Sequence, residues 1–129
     1  MISSFNELLQ AASQQDDAQR LLLLFANAES SSKKHKSTQR GTISPVMCVD
    51  KLPEEIASFE ALSEEADAIS KDWNFVFIAG LSGKGDVAPT TEEADPYLNK
   101  MTNDLASGQD MSQYVVFDRS GGTVMLQAS

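Results

Sequence analysis

The segment Gly80-Leu81-Ser82-Gly83-Lys84-Gly85-Asp86 sets three glycines, a serine and a lysine between an apolar run and a helix-start signal. In that setting backbone N–H groups can cradle an anion, with Lys84 as the counter-charge. Ser82, Gly83, Lys84 and Gly85 are therefore candidate binding residues for a small anion or a phosphate ester. The pattern departs from a P-loop. Only Leu81 and Ser82 separate Gly80 from Gly83, and Gly85 stands where Ser or Thr would hold magnesium. Glu92 and Glu93 follow in the next helix, where their charge opposes a bound phosphate. A flexible connection is the plainer reading of the same residues, and the sequence favours it.

Two carboxylates, Asp50 and Asp118, each follow an expected strand, and open α/β sheets place ligands at the carboxyl ends of strands. Sharing one cleft, they could divide acid and base roles. Turn chemistry competes, because Asp readily hydrogen-bonds the backbone two residues on. Cys48 lies in an apolar stretch with no second cysteine in the chain, so it reads as an inert, buried small hydrophobe. His35, the single histidine, sits among lysines and lacks the buried, oriented setting a catalytic imidazole needs. No residue set reads as catalytic, none as a metal site, and no cofactor is implied.

Charge singles out one other segment. The chain of 129 residues has a net charge of −9, which argues against general nucleic-acid binding, since phosphate contacts need a positive surface. Four of its ten basic residues, Lys33, Lys34, Lys36 and Arg40, stand together, leaving six against nineteen acidic residues elsewhere. A basic loop on an acidic body is a candidate for recognising an acidic protein, a phosphate group or another copy of the chain, and a solvated loop is its plain alternative.

These residues must be positioned by a single domain, the size class to which 129 residues belong. Hydrophobic residues make up 41%, enough for a core without disulfides or structural metal. The longest apolar run, residues 21–26, is too short to span a bilayer, and the first residues lack a signal-peptide pattern, so a cytoplasmic location is expected.

Ser4 and Glu7 form a capping box ahead of a helix whose apolar face is Phe5, Leu8, Leu9 and Ala12. Residues 20–28 read as a strand buried on both faces. Residues 29–43 hold the basic loop. Residues 46–49 read as a second strand opened by Pro45, and Pro53 starts a helix with the buried stripe Ile56, Phe59, Leu62, Ala66 and Ile69. Residues 73–79 form a third strand. A third helix starts at the Thr90 capping box or at Asp95–Pro96, carries the stripe Tyr97, Leu98, Met101 and Leu105, and stops at Gly108. Residues 114–117 and 123–126 form a closing hairpin. The expected class is α/β (or α+β), in the order α-β-β-α-β-α-β-β. Helices between strands suggest right-handed crossovers and one mixed, partly parallel sheet of about five strands with three helices.

Three phrases also carry a resemblance: Pro45-Val46-Met47-Cys48-Val49-Asp50-Lys51, residues 73–85 around Val76-Phe77-Ile78-Ala79-Gly80-Leu81-Ser82-Gly83, and Phe117-Asp118-Arg119-Ser120-Gly121. Together they resemble a family of small proteobacterial proteins that commonly carry the name ribonucleotide reductase subunit alpha. The likeness extends over most of the chain but includes no catalytic motif. A reductase large subunit needs several cysteines and a large barrel, which Cys48 alone and 129 residues cannot supply. The resemblance therefore implies a cytoplasmic bacterial protein without that activity. The expected function is that of a non-enzymatic binding or accessory protein acting through exposed loops, on a protein partner or as a homo-oligomer and not at a membrane. The alternative is a small enzyme or anion binder built on the loop 80–86.

Overall fold

The structure, a computed structural model, describes residues 4–29, 42–108 and 114–124. Leu21, Leu22, Leu23, Leu24, Phe25 and Ala26 are six consecutive apolar residues, none more than 3% exposed. Successive strand side chains point to opposite faces, so such a run must be covered on both sides. It forms the middle of β1 (Gln19–Glu29), and helices cover both faces.

On one face lie α1 (Phe5–Ser13) and α2 (Phe59–Ile69). Phe5, Leu8, Leu62 and Ala66 pack there against Leu21, Leu23 and Phe25. On the other lies α3 (Thr91–Ala106), whose Ala94, Leu98, Met101 and Leu105 meet Leu22, Leu24 and Ala26. The remaining strands are β2 (Thr42–Lys51), β3 (Phe75–Ser82) and β4 (Val115–Asp118). A short 3-10 turn, Pro53–Glu55, precedes α2.

The mixed α/β class and the three helices are as the sequence indicates. The pairing is not. The strand order is β2-β1-β3-β4, and every pairing among the described residues is antiparallel. The crossover from β2 through α2 does reach a strand of the same direction, β3. However, β1 lies between them and pairs with both. The most apolar strand takes the central place because only there can it have neighbours on both edges and helices on both faces. Four strands replace the expected five among the described residues. The last hairpin arm is represented by a bridge from Thr123 to Phe117 and a bond from the Val124 N–H to the Val116 carbonyl, and residues 125 and 126 lie outside them.

Local signals fare better. Ser4 accepts an N-capping bond from the Glu7 N–H; the second helix starts at Phe59 and not at Pro53, with Ser58 accepting from the Ala61 N–H as a cap the sequence reading did not single out. Thr90 and Glu93 form the reciprocal capping box, so α3 starts there and carries Pro96 inside. Pro45 sits on the edge strand beside a bulge, where a missing N–H is tolerated. Two stripe residues are misassigned: Ile69 is 68% exposed and Tyr97 50% exposed. Both lie at the edge of the helical face that the core covers. The second helix is also divided, with Ile56 buried between the 3-10 turn and α2.

Because Leu23 and Leu24 serve different layers, Leu23→Ala and Leu24→Ala should each lower the unfolding free energy by about 2–5 kcal/mol. Urea denaturation checks this. A loss under about 1 kcal/mol at either position would contradict burial on both faces.

Candidate functional site

Pairing of Leu21 with Lys51 and of Gln19 with Ser82 puts the start of β1 and the ends of β2 and β3 at one end of the sheet. Asp50 and the loop 80–86 therefore share that end. Asp118 pairs with Phe75 at the start of β3, on the far end and the opposite edge strand. Asp50 and Asp118 share no cleft, so the acid–base pair is excluded by topology.

Asp50 is engaged within the fold. Arg20 Nη1 donates to its Oδ2 at 2.6 Å, and the Thr91 hydroxyl donates to the same oxygen at 2.9 Å. Arg20 Nε donates to the Pro89 carbonyl. The two charged side chains are only 14% and 11% exposed, so each depends on the other for solvation it has lost. Thr91 opens α3, and the carboxylate also lies at the end of the helix that attracts negative charge. Asp50 thus fastens β2 to β1 and to the start of α3.

The loop after β3 uses its own amides. Gly83 N–H bonds to the Ala18 carbonyl at 2.8 Å, and Lys84 and Val87 exchange backbone bonds at 2.9 Å each. Gly85 N–H bonds to the Asp17 carboxylate at 2.9 Å. The candidate cradle, which the sequence favours reading as a flexible connection, is a tight turn that holds an aspartate of the chain itself. Gly83 is required there because a Cβ would collide with the Val87 carbonyl oxygen. Ser82 Oγ accepts from Gln19 Nε2 at 2.7 Å. Of the predicted residues here, Lys84 is exposed, and its ammonium group has no hydrogen-bond or ion-pair partner among the described residues.

Asp118 is a turn residue. Its Oδ1 accepts the Ser120 hydroxyl at 2.6 Å and the N–H groups of Ser120 and Gly122 at 2.9 and 3.1 Å. Gly121, with φ +85°, supplies the left-handed position the turn needs. The Ser120 hydroxyl bond, with the Gly122 N–H after it, holds the carboxyl below its ordinary pKa. Next to it, Arg119 lies 4.3 Å from the Trp73 ring centre and gives both Asp67 oxygens a bond, at 3.0 and 2.9 Å. Trp73 Nε1 also donates to Asp67 at 3.0 Å. This clamp ties the hairpin to α2.

Cys48 is exposed, contrary to the buried expectation. It stands opposite Leu24 on β2, an edge strand of the sheet. His35 and the basic residues Lys33, Lys34, Lys36 and Arg40 lie outside the described residues.

A feature the sequence reading missed is an open hollow of about 480 Å³ between the loop and α3. Leu81, Ser82, Gly83, Lys84, Val87, Ala88, Pro89, Glu93 and Tyr97 line it. Val87, 70% exposed, and Tyr97 are two of the three large apolar side chains that stand exposed among the described residues. The only signal in the sequence was Tyr97, an aromatic at the margin of its helical stripe. Among the described residues no group of three His, Cys, Asp or Glu side chains is arranged to hold a metal ion, and no helix is long and apolar enough to cross a membrane. The chain matches no protein-family model, no curated protein and no solved structure. Its function must be read from the site itself.

Two outcomes follow. Asp50→Asn should destabilise the protein by about 2–4 kcal/mol, because it strands the Arg20 charge. A double-mutant cycle with Arg20→Met, read by urea denaturation, should return a coupling of about 1–3 kcal/mol. For Asp118, a lowered folded pKa means its contribution is complete above the ordinary aspartate range and is lost as pH falls through the lowered value. Asp118→Asn should therefore be less stable than wild type at about pH 7, and the gap should close toward about pH 3. A gap that persists on acidification would refute the assignment.

Proposed function

We propose that this protein is a non-enzymatic binding or accessory domain that recognises a partner protein through the hollow between the 83–89 loop and α3. The observation that carries this reading is the convergence of Val87 and Tyr97 on one concavity. Water-exposed apolar side chains are common singly, whereas grouped around a hollow they mark a surface that another molecule covers. The employment of the chemistry-bearing residues supports it too: Asp50, Asp118 and the loop amides are engaged in holding the fold. Lys33, Lys34, Lys36 and Arg40 form a second recognition element in this reading, through charge. A cytoplasmic location and a bacterial source belong to the same proposal.

The alternative, a small-anion or phosphate-ester binder, keeps the Lys84 ammonium and the Ser82 hydroxyl, whereas the amides of Gly83, Lys84, Gly85 and Val87 are taken. Thermal shift with phosphate and nucleotides distinguishes the two. No stabilisation is expected, and stabilisation abolished by Lys84→Ala would establish the alternative instead.

The main test is quantitative capture on immobilised protein. A protein retained by wild type and by an Ile69→Ser control should be reduced about tenfold or more by both Val87→Asp and Tyr97→Ala. Retention indifferent to both substitutions would sink the proposal.

A further inference from the structure

A second hollow, of about 440 Å³, opens at the end of the sheet where β1 begins. It lies between the two helix layers. Ala12 and Ser13 of α1 and Glu54 of the 3-10 turn line it from one layer, and Thr90, the cap of α3, lines it from the other. Arg20 comes from the strand between the layers, and Asp86 from the turn after β3. The polar groups divide by sign. Arg20 Nη1 and Nε are engaged by Asp50 and the Pro89 carbonyl, whereas Nη2 has no partner among the described residues. That nitrogen is not sealed in the core, since the one fully buried side-chain atom without a partner among those residues is Ser63 Oγ. Thr90 Oγ1 accepts from the Glu93 N–H, so its own hydrogen is left to donate. Opposite in sign are Glu54 and Asp86, both exposed, with no ion pair or hydrogen bond to either carboxylate among the described residues. The end of α1 adds to them: a helix C-terminus carries partial negative charge, and no basic residue stands in its last turn.

We propose that this hollow binds a free amino acid as its zwitterion. The carboxylate accepts from Arg20 Nη2 and the Thr90 hydroxyl, and the ammonium group lies towards Glu54, Asp86 and the end of α1. A volume of about 440 Å³ falls among those of small-molecule pockets. A simple anion would face two unpaired carboxylates, and a simple amine would leave Nη2 without an acceptor. A zwitterion satisfies both sets. The site shares only Ala88 and Pro89 with the hollow beside Tyr97, so the inference stands apart from the recognition surface.

The experiment is an NMR titration of the full-length, isotope-labelled protein with the common amino acids, one at a time. At least one should shift the amides of Ala18, Arg20, Glu54 and Asp86. The decarboxylated and deaminated analogues of the tightest should each bind about tenfold or more weaker, having lost one charged partner. The double variant Glu54→Gln/Asp86→Asn removes charge that the fold does not use. It should weaken the amino acid by about tenfold and leave the deaminated analogue no weaker. Absence of shifts at these amides with every amino acid would overturn the inference. Either analogue binding as tightly as its parent, or indifference to the double variant, would overturn it too. Tyr97→Ala should leave the titration unchanged, and shifts that vanish in that variant would assign the ligand to the other hollow instead.

Discussion

A strand with no solvent face is the constraint from which this architecture follows. Residues 21–26 of β1 present apolar side chains to both sides of the sheet. Each side must lose its water, and roughly 25 cal/mol per Å² of apolar surface favours that. One helix layer cannot do this, so α1 and α2 cover one face and α3 the other. The same constraint places β1 inside the sheet, with β2 and β3 as its two neighbours. The edges then fall to the half-apolar β2 and the short β4. Cys48 lies on the edge strand β2 and is exposed.

Closing the layers at the end where β1 begins raises a second problem, because polar and charged groups meet there. The solution is internal pairing. Asp50 binds Arg20 and Thr91, and Asp17 binds the Gly85 amide. Both carboxylates occupy positions where backbone donors or a cation could otherwise have received a ligand anion. The sites that look most like chemistry in the primary structure are thus fasteners between elements. At the other end, Asp118 and the Arg119–Asp67–Trp73 clamp do the corresponding work for the hairpin. What the fold leaves unused is surface: Val87 and Tyr97 around a hollow, and in its lining the Lys84 ammonium, which has no partner among the described residues.

Local features were legible without the fold. The cap at Ser4, the tolerated Pro45, the stop at Gly108 and the turn at Asp118–Gly122 each depend on a few neighbouring residues, whereas at Thr90 the sequence left Asp95–Pro96 as a rival start. Their backbone geometry is therefore written in short stretches of sequence. The double burial of β1 was legible too, since an unbroken apolar run between polar segments admits few other fates. The absence of a dithiol follows from the count of one cysteine.

Strand order and direction were decided by tertiary structure. Alternating helices and strands suit both a parallel sheet and one in which β1 is inserted between β2 and β3. Only the competition for the central position selects the second. The fate of the loop 80–86 was settled the same way. Glycines and a lysine after a strand describe a cradle for an anion, but Asp17 and Ala18 lie more than sixty residues away in sequence and reach the loop only through the β1–β3 pairing. Partners that distant leave no local trace. Nor does the hollow beside them, whose lining joins Val87 of the turn to Glu93 and Tyr97 of α3.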